Sequence, residues 1–254
     1  ALINPVMVKE FRTRRYGRGH WMMRLIAACL IVSLALAYIS SSGTIRWGAS
    51  LIGAILVIFQ MGLVVLVTPA LASGLISAER ESGGWQLLRM TPLSALSIVM
   101  GKLLSVGFTL SLILAATLPS YAVLLYIDTD NQKVRVPRVL LTLVITAVFA
   151  LLASGAISSL FKRTAAATTT AYVFLLTLCA GTMLAWLGLN NPFSLETVAT
   201  VLTVNPVAAA LELIETPNFQ NLELVPATWY FMLIGCVVSL LVLVVRTWQL
   251  TRPT

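Results

Sequence analysis

The side chains with chemical potential in this 254-residue chain are few and lie in short polar intervals. The densest interval is Glu79-Arg80-Glu81-Ser82-Gly83-Gly84, continued by Trp85-Gln86-Leu87-Leu88-Arg89-Met90 and Thr91-Pro92-Leu93. Leu87, Leu88 and Met90 give a short apolar surface beside Arg80, Glu81 and Arg89, which suits docking of a short helix in a groove on a cytosolic partner. A solvated connecting loop fits the same periodicity. Thr91-Pro92 has the N-cap and N1 pattern of a helix start.

Catalytic chemistry finds no foothold. The single histidine, His20, excludes any site built on two histidines. Cys29, Cys179 and Cys236 lie in apolar runs without C-x-x-C spacing and read as small buried hydrophobes. The one Gly-Lys pair, Gly101-Lys102, continues into Leu103 and lacks the upstream glycine of a P-loop. H-E-x-x-H and G-x-S-x-G do not occur. No catalytic, cofactor-binding or metal-binding residue is assigned, and the chain is not expected to be an enzyme. The most polar side chain within an apolar run is Gln60. It has two readings: contact with a cargo or a symmetry mate, or a hydrogen bond between helices of about 0.6–2 kcal/mol.

The elements that carry these residues are membrane helices. Apolar residues make up 59% of the chain and charged residues 10%, against about 25% charged in a soluble domain. Spans are expected at about 24–42, 48–76, 102–127, 138–161, 165–189 and 227–247, each near the ~20 apolar residues that cross a bilayer. The first, after a basic segment, has features of a signal peptide. Five further spans favour reading it as a retained helix. The expected fold is an all-α membrane protein, residues 1–254 forming one transmembrane domain with six spans.

Charge placement orients it. Thirteen of the 17 basic residues fall on the side of the N-terminal segment, the 77–101 loop, the Lys162-Arg163 turn and the C-terminal tail. Six of the nine acidic residues fall on the other. The positive-inside rule puts both termini in the cytoplasm. The net charge of +8 therefore reports membrane orientation and gives no support to nucleic-acid binding. All six tryptophans sit at or just beyond span ends, where an indole can lie in the interface. No ionisable residue is expected in the interior of a span, which argues against an ion-coupled carrier.

Outside the spans, Asn4-Pro5 opens a partly amphipathic segment whose cations Lys9, Arg12 and Arg15 suit an anchor on the inner leaflet. An ordinary positive-inside segment is the alternative. On the other side, residues 190–226 carry no Lys or Arg. Ser194 is placed to cap one short helix, with Glu196 in its first turn. Asn205-Pro206 opens another, with Val207, Leu211 and Ile214 on one face and Glu212 and Glu215 towards water. Both pieces are too short to span and should dip into or lie along the outer interface. Pro69 and Pro119 should kink their spans, and Gly155 and Ser159 put small residues four apart for close packing.

Taken together these landmarks resemble the permease subunits of type-2 ABC exporters. The resemblance rests on Glu79-Arg80-Glu81-Ser82-Gly83, Leu87-Leu88, Thr91-Pro92-Leu93-Ser94, and Ile98 with Gly101-Lys102. Asn4-Pro5-Val6 with Lys9-Glu10 and Arg12, and Asn205-Pro206 before Leu211, are similar to the family's opening and outer segments. Gly84 and Gln86 depart from the Thr and Glu usual there. The resemblance implies a pair of permeases, alike or unlike, each with an ABC ATPase that holds ATP and Mg; this chain needs no cofactor of its own. It also implies coupling through residues 79–90, with roles for Glu79, Arg80, Glu81, Gly83, Trp85, Leu87, Leu88, Arg89, Thr91 and Pro92. The 162–168 turn would be a second contact, spans two and five would line the permease interface, and the outer helices would cap it. Charge reversal at Glu79 or Arg80 is then expected to uncouple ATP turnover from transport without unfolding the spans. Apolar spans favour an amphipathic or hydrophobic cargo moved outward across the cytoplasmic membrane. The alternative is a mechanical coupler that passes ATP-driven motion to an extracytoplasmic partner bound at 190–226.

Overall fold

The computed structural model describes residues 19–41, 49–84, 95–127, 129–188, 193–217, 219 and 222–251. The helices are α1 (Gly19–Ser41), α2 (Ala49–Ala72), α3 (Ser77–Glu81), α4 (Ala95–Ala115), α5 (Leu118–Ile127) and α6 (Thr129–Leu160). After them come α7 (Thr164–Leu176), a π-helical turn (Thr177–Gly181), α8 (Thr182–Leu187), α9 (Leu195–Leu202), α10 (Pro206–Leu213) and α11 (Ala227–Thr251). There is no β-strand among the described residues. Five helical segments there are long and apolar enough to cross a membrane, and α1 contributes a shorter apolar run, Ile26–Ala35. The chain is a multi-pass, all-helical membrane protein.

The centre of the bundle is α6, which packs against α2, α5, α7, α10 and α11. Its Leu143, Ala147, Phe149 and Ala150 join Leu56, Met61 and Val64 of α2 in the larger core. A second core around Leu75, Ile76, Leu103, Val106 and Leu243 lies at the end of the bundle that carries α3, here the near end. Gly155 of α6 faces Leu75 and Leu103 there, with room for a Cβ at ordinary contact distance. The described residues of 193–224 form the far end. Outward faces of α2, α7, α8 and α11 expose Ile58, Leu66, Val173, Leu184, Ile234 and Val237. Exposed apolar area on that scale belongs against lipid or another protein.

Several helices run beyond the expected span limits. The third long helix begins at Ala95 rather than 102, and the fourth at Thr129 rather than 138. Reading spans from hydropathy stops at charges, and the helices run through them. Lys102, the residue at which the third span is expected to begin, thus lies inside α4 and is 3% exposed. The Pro119 expectation is met by a break: α4 ends at Ala115, Ala116 and Thr117 form a turn, and α5 restarts at Leu118. Pro69 stays inside α2. The hydroxyl of Tyr172 donates to the Leu66 carbonyl at 2.7 Å, three residues before that proline.

Two tryptophans also make contacts inside the bundle. Trp229 Nε1 donates to Thr142 Oγ1 at 2.9 Å, and Trp186 stacks on Phe219 with centroids 5.3 Å apart. Each is only half-buried, so a position at a span end suits both uses.

Candidate functional site

At the near end, α3 is five residues long and is held from four directions. Its N-terminus lacks a capping side chain of its own. Ser158 of α6 takes that place, its Oγ accepting from the backbone N–H of Ile76 and Ser77, each at 3.0 Å. The three charged residues that follow then reach three different long helices. Glu79 Oε1 pairs with Lys102 Nζ of α4 at 3.1 Å. Arg80 Nη1 donates to the carbonyls of Ser159 and Phe161 at 3.1 and 3.2 Å, where α6 ends and its carbonyls lack helical partners. Glu81 Oε2 accepts from the Thr164 N–H at 2.8 Å, at the first residue of α7. A cation at a helix C-terminus and an anion at an N-terminus both match the helix dipoles. Gly83 follows with φ +74°, a left-handed conformation that favours glycine. A Cβ on Gly84 would stand 2.8 Å from Glu79 Oε2, so glycine there leaves room for the carboxylate.

Midway along the bundle, Gln60 is 1% exposed and its hydrogen bonds stay within the chain. Its amide nitrogen donates to Thr117 Oγ1, and its Oε1 accepts from the Tyr121 hydroxyl at 2.7 Å. Ser33 of α1 bonds to Ser120, and its hydroxyl also donates to the Thr117 carbonyl at 3.3 Å. The α4–α5 break thereby gathers α1 and α2 around itself. Polar groups exposed by a broken helix in an apolar setting need such partners.

Between α2 and the α7–α8 segment lies a groove of about 440 Å³, lined by Ile58, Met61, Val65, Leu176, Cys179, Met183 and neighbouring apolar residues, with Val207 of α10 at its edge. No charged side chain lines it. It can receive hydrocarbon and offers nothing to bind a polar head. The far end of this groove is bounded by α10, whose N-cap is Asn205.

The family model for ABC-2 family transporter proteins matches residues 23–245. The chain belongs to that family. No curated protein matches the chain. The family is a transport permease family of ABC transporters.

In this ABC-2 protein, Glu79, Arg80, Glu81 and Gly83 fall together around α3. Trp85, Leu87, Leu88, Arg89, Thr91 and Pro92, and the anchor cations Lys9, Arg12 and Arg15, lie outside the described residues. Gln60 is far from α3 in sequence and belongs to the mid-bundle network. Because Glu79 and Arg80 make contacts inside the permease, their reversal carries a folding cost beside any effect on a partner.

Sequence reasoning missed Ser158, Lys102, Thr117, Ser120 and Tyr121 as members of these clusters. Ser158 stood in the Ser154–Ser159 run, where small size was the visible feature. Thr117 and Ser120 flank Pro119, and a proline with hydroxyls on both sides was a usable signal for a broken helix. At the far end, the Ser194 and Asn205 caps read from sequence are both formed. Glu212 does not face water as expected. It is half-buried and its Oε2 accepts from the Leu224 N–H at 2.8 Å, because the chain after α10 returns over that helix. Burial pushes its pKa above the usual carboxylate value, more than its backbone hydrogen bonds lower it. Glu215 is exposed as expected and pairs with Arg135 at 2.5 Å.

Proposed function

We propose that the protein is the permease subunit of an ATP-driven exporter that moves an amphipathic or hydrophobic cargo outward across the cytoplasmic membrane. Residues 1–254 act as one transmembrane domain of six spans, with the near end and both termini in the cytoplasm. ATP and Mg are held by separate ABC ATPase subunits, two per complex, paired with two permeases. The observation that carries this reading is the way α3 joins α4, α6 and α7 through Glu79, Arg80 and Glu81.

A push on residues 77–84 reaches three long helices at once through charged contacts, without relying on loop stiffness. Trp85, Leu87, Leu88, Arg89, Thr91 and Pro92 extend the surface that meets the ATPase, and the 162–168 turn supplies its second contact. Lys9, Arg12 and Arg15 anchor the N-terminal segment on the inner leaflet. Gln60 works within the bundle, holding α2 to the α4–α5 break. The α2–α7 groove, facing outward between Ile58 and Leu66, is where apolar cargo or a second permease meets this chain. Nucleotide on the partner then biases a two-state bundle. A mechanical coupler with a partner at 190–226 has no observation of its own in its favour.

Reconstitution of the chain in liposomes with its ABC ATPase, using a short-chain fluorescent phospholipid as the probe, tests the reading. Transbilayer movement that requires ATP and both subunits is the expected result. Flux driven by an ion gradient through the chain alone would overturn it.

A further inference from the structure

The far-end cap sits on α6, and it meets the two walls of the groove, α2 and α7–α8, in different ways. Asn205 is fully buried. Its Oδ1 accepts from the N–H groups of Val207 and Ala208 at 2.8 and 3.3 Å, which caps α10. Its Nδ2 donates to the Cys179 carbonyl at 2.8 Å and to Thr182 Oγ1 at 2.9 Å. Those acceptors sit in and just after the π-helical turn, where the helical hydrogen-bond ladder is offset and side-chain donors can be taken up. One side chain therefore uses both ends of its amide to hold α10 and the π turn together.

On the α2 side the cap rests on packing alone among these contacts. Ile214, following α10, is fully buried over Gly53, so closely that a Cβ on Gly53 would stand 2.5 Å from Ile214 Cγ2. Cys179 and Val207, one beside each of Asn205's bonds, both line the α2–α7 groove. Movement of α10 therefore changes the groove wall.

We propose that Asn205 is the positioning residue that makes α10 and the π turn of α7–α8 one body, so that the far end of the groove opens by α10 lifting from Gly53 of α2 and never by parting from α7–α8. This rests on the permease reading for its purpose, since an apolar groove needs a far-end exit only if something leaves through it. The geometry itself is tested without transport.

The test measures alkylation of Cys179 by N-ethylmaleimide in the full chain in membranes, with Cys29→Ala and Cys236→Ala as the parent. Asn205→Ser keeps a neutral oxygen able to cap α10 but is too short to make the Nδ2 donations. It should raise the Cys179 rate about tenfold, while a destabilised but folded variant still reports at Cys29 as the parent does. Thr182→Val, which leaves the Cys179 carbonyl bond, should raise it less. Gly53→Ala should raise it with the Asn205 bonds intact, by wedging Ile214 off α2. A second parent that retains only Cys29, buried between α1 and the α4 region, reports general loosening and should not change. Rates at Cys179 within twofold of the parent in Asn205→Ser and Gly53→Ala, or a parallel rise at Cys29, would overturn the proposal. If Asn205→Ser does not accumulate, Thr182→Val and Gly53→Ala decide it by the same criteria. Failure of ATP-driven transport with these labelling changes present would count against the permease reading and leave the linkage standing.

Discussion

Lys102 Nζ lies 3.1 Å from Glu79 Oε1, with the lysine side chain 4% exposed and the glutamate 17%. The pair joins the short helix α3 to the long helix α4 across 23 residues of sequence. An ammonium this deep is tolerable only with a carboxylate beside it.

Glu79→Leu should therefore cost about 3–5 kcal/mol, since it leaves a buried charge without its counter-ion. Glu79→Leu with Lys102→Leu should recover most of that loss, as paired apolar replacements of buried ions often do. Thermal unfolding of the two variants in detergent, beside the parent, measures both steps. Equal losses in the single and double variants would contradict the pairing.

Arg80 closes the end of α6 through the Ser159 and Phe161 carbonyls. Arg80→Ala should cost about 1.5–3 kcal/mol, the range for hydrogen bonds from a charged group. Hydrogen exchange should quicken over residues 159–166, and the far end should keep its protection. Arg80→Lys should restore little, because an ammonium lacks the planar fork that spans two carbonyls.

Gln60→Leu should cost about 0.6–2 kcal/mol, as for other hydrogen bonds between helices in membranes. It also strands the Tyr121 hydroxyl, which is 2% exposed. Adding Tyr121→Phe removes that unpaired donor, so the double variant should melt above Gln60→Leu alone. A lower melting temperature in the double variant would place the value of Gln60 elsewhere.

Glu212 sets a pH dependence at the far end. Burial raises its pKa above the reference 4.5, with the backbone N–H groups of Leu224 and Val225 pulling the other way. The folded protein then holds this proton more tightly than the unfolded chain. The associated stability is full below the unfolded value and is lost as pH rises through the folded one. Glu212→Gln keeps an acceptor for Leu224 and never ionises. Its melting temperature relative to the parent should be highest at neutral pH, and the advantage should shrink on acidification towards pH 4.5. A growing advantage at low pH would reverse the assigned sign.

What the sequence made legible follows from how far each signal reaches. Ser194 and Asn205 were readable as caps because a cap depends on residues two or three positions away. The apolar runs located the long helices for the same reason. The burial of Lys102 inside a helix was not legible, because neutralisation of a charge depends on a partner brought close only by folding. Ser158 capping α3 from another helix, and the Nδ2 of Asn205 reaching the π turn, are likewise products of tertiary packing. Glu212 looked solvent-facing on its own helix, and only the returning chain at Leu224 covered it. The Glu79-Arg80-Glu81 cluster was found from its residue types, while the use of each side chain came from three helices distant in sequence.

The central claim, a permease worked by a separate ABC ATPase, is tested most directly by tagging the full chain, purifying it from its native membrane and weighing the complex by native mass spectrometry. The account predicts that an ABC ATPase co-purifies, with two copies of it and two permease chains per particle. Recovery of this chain without any ABC ATPase, in a form that still moves solute down an ion gradient, would contradict it.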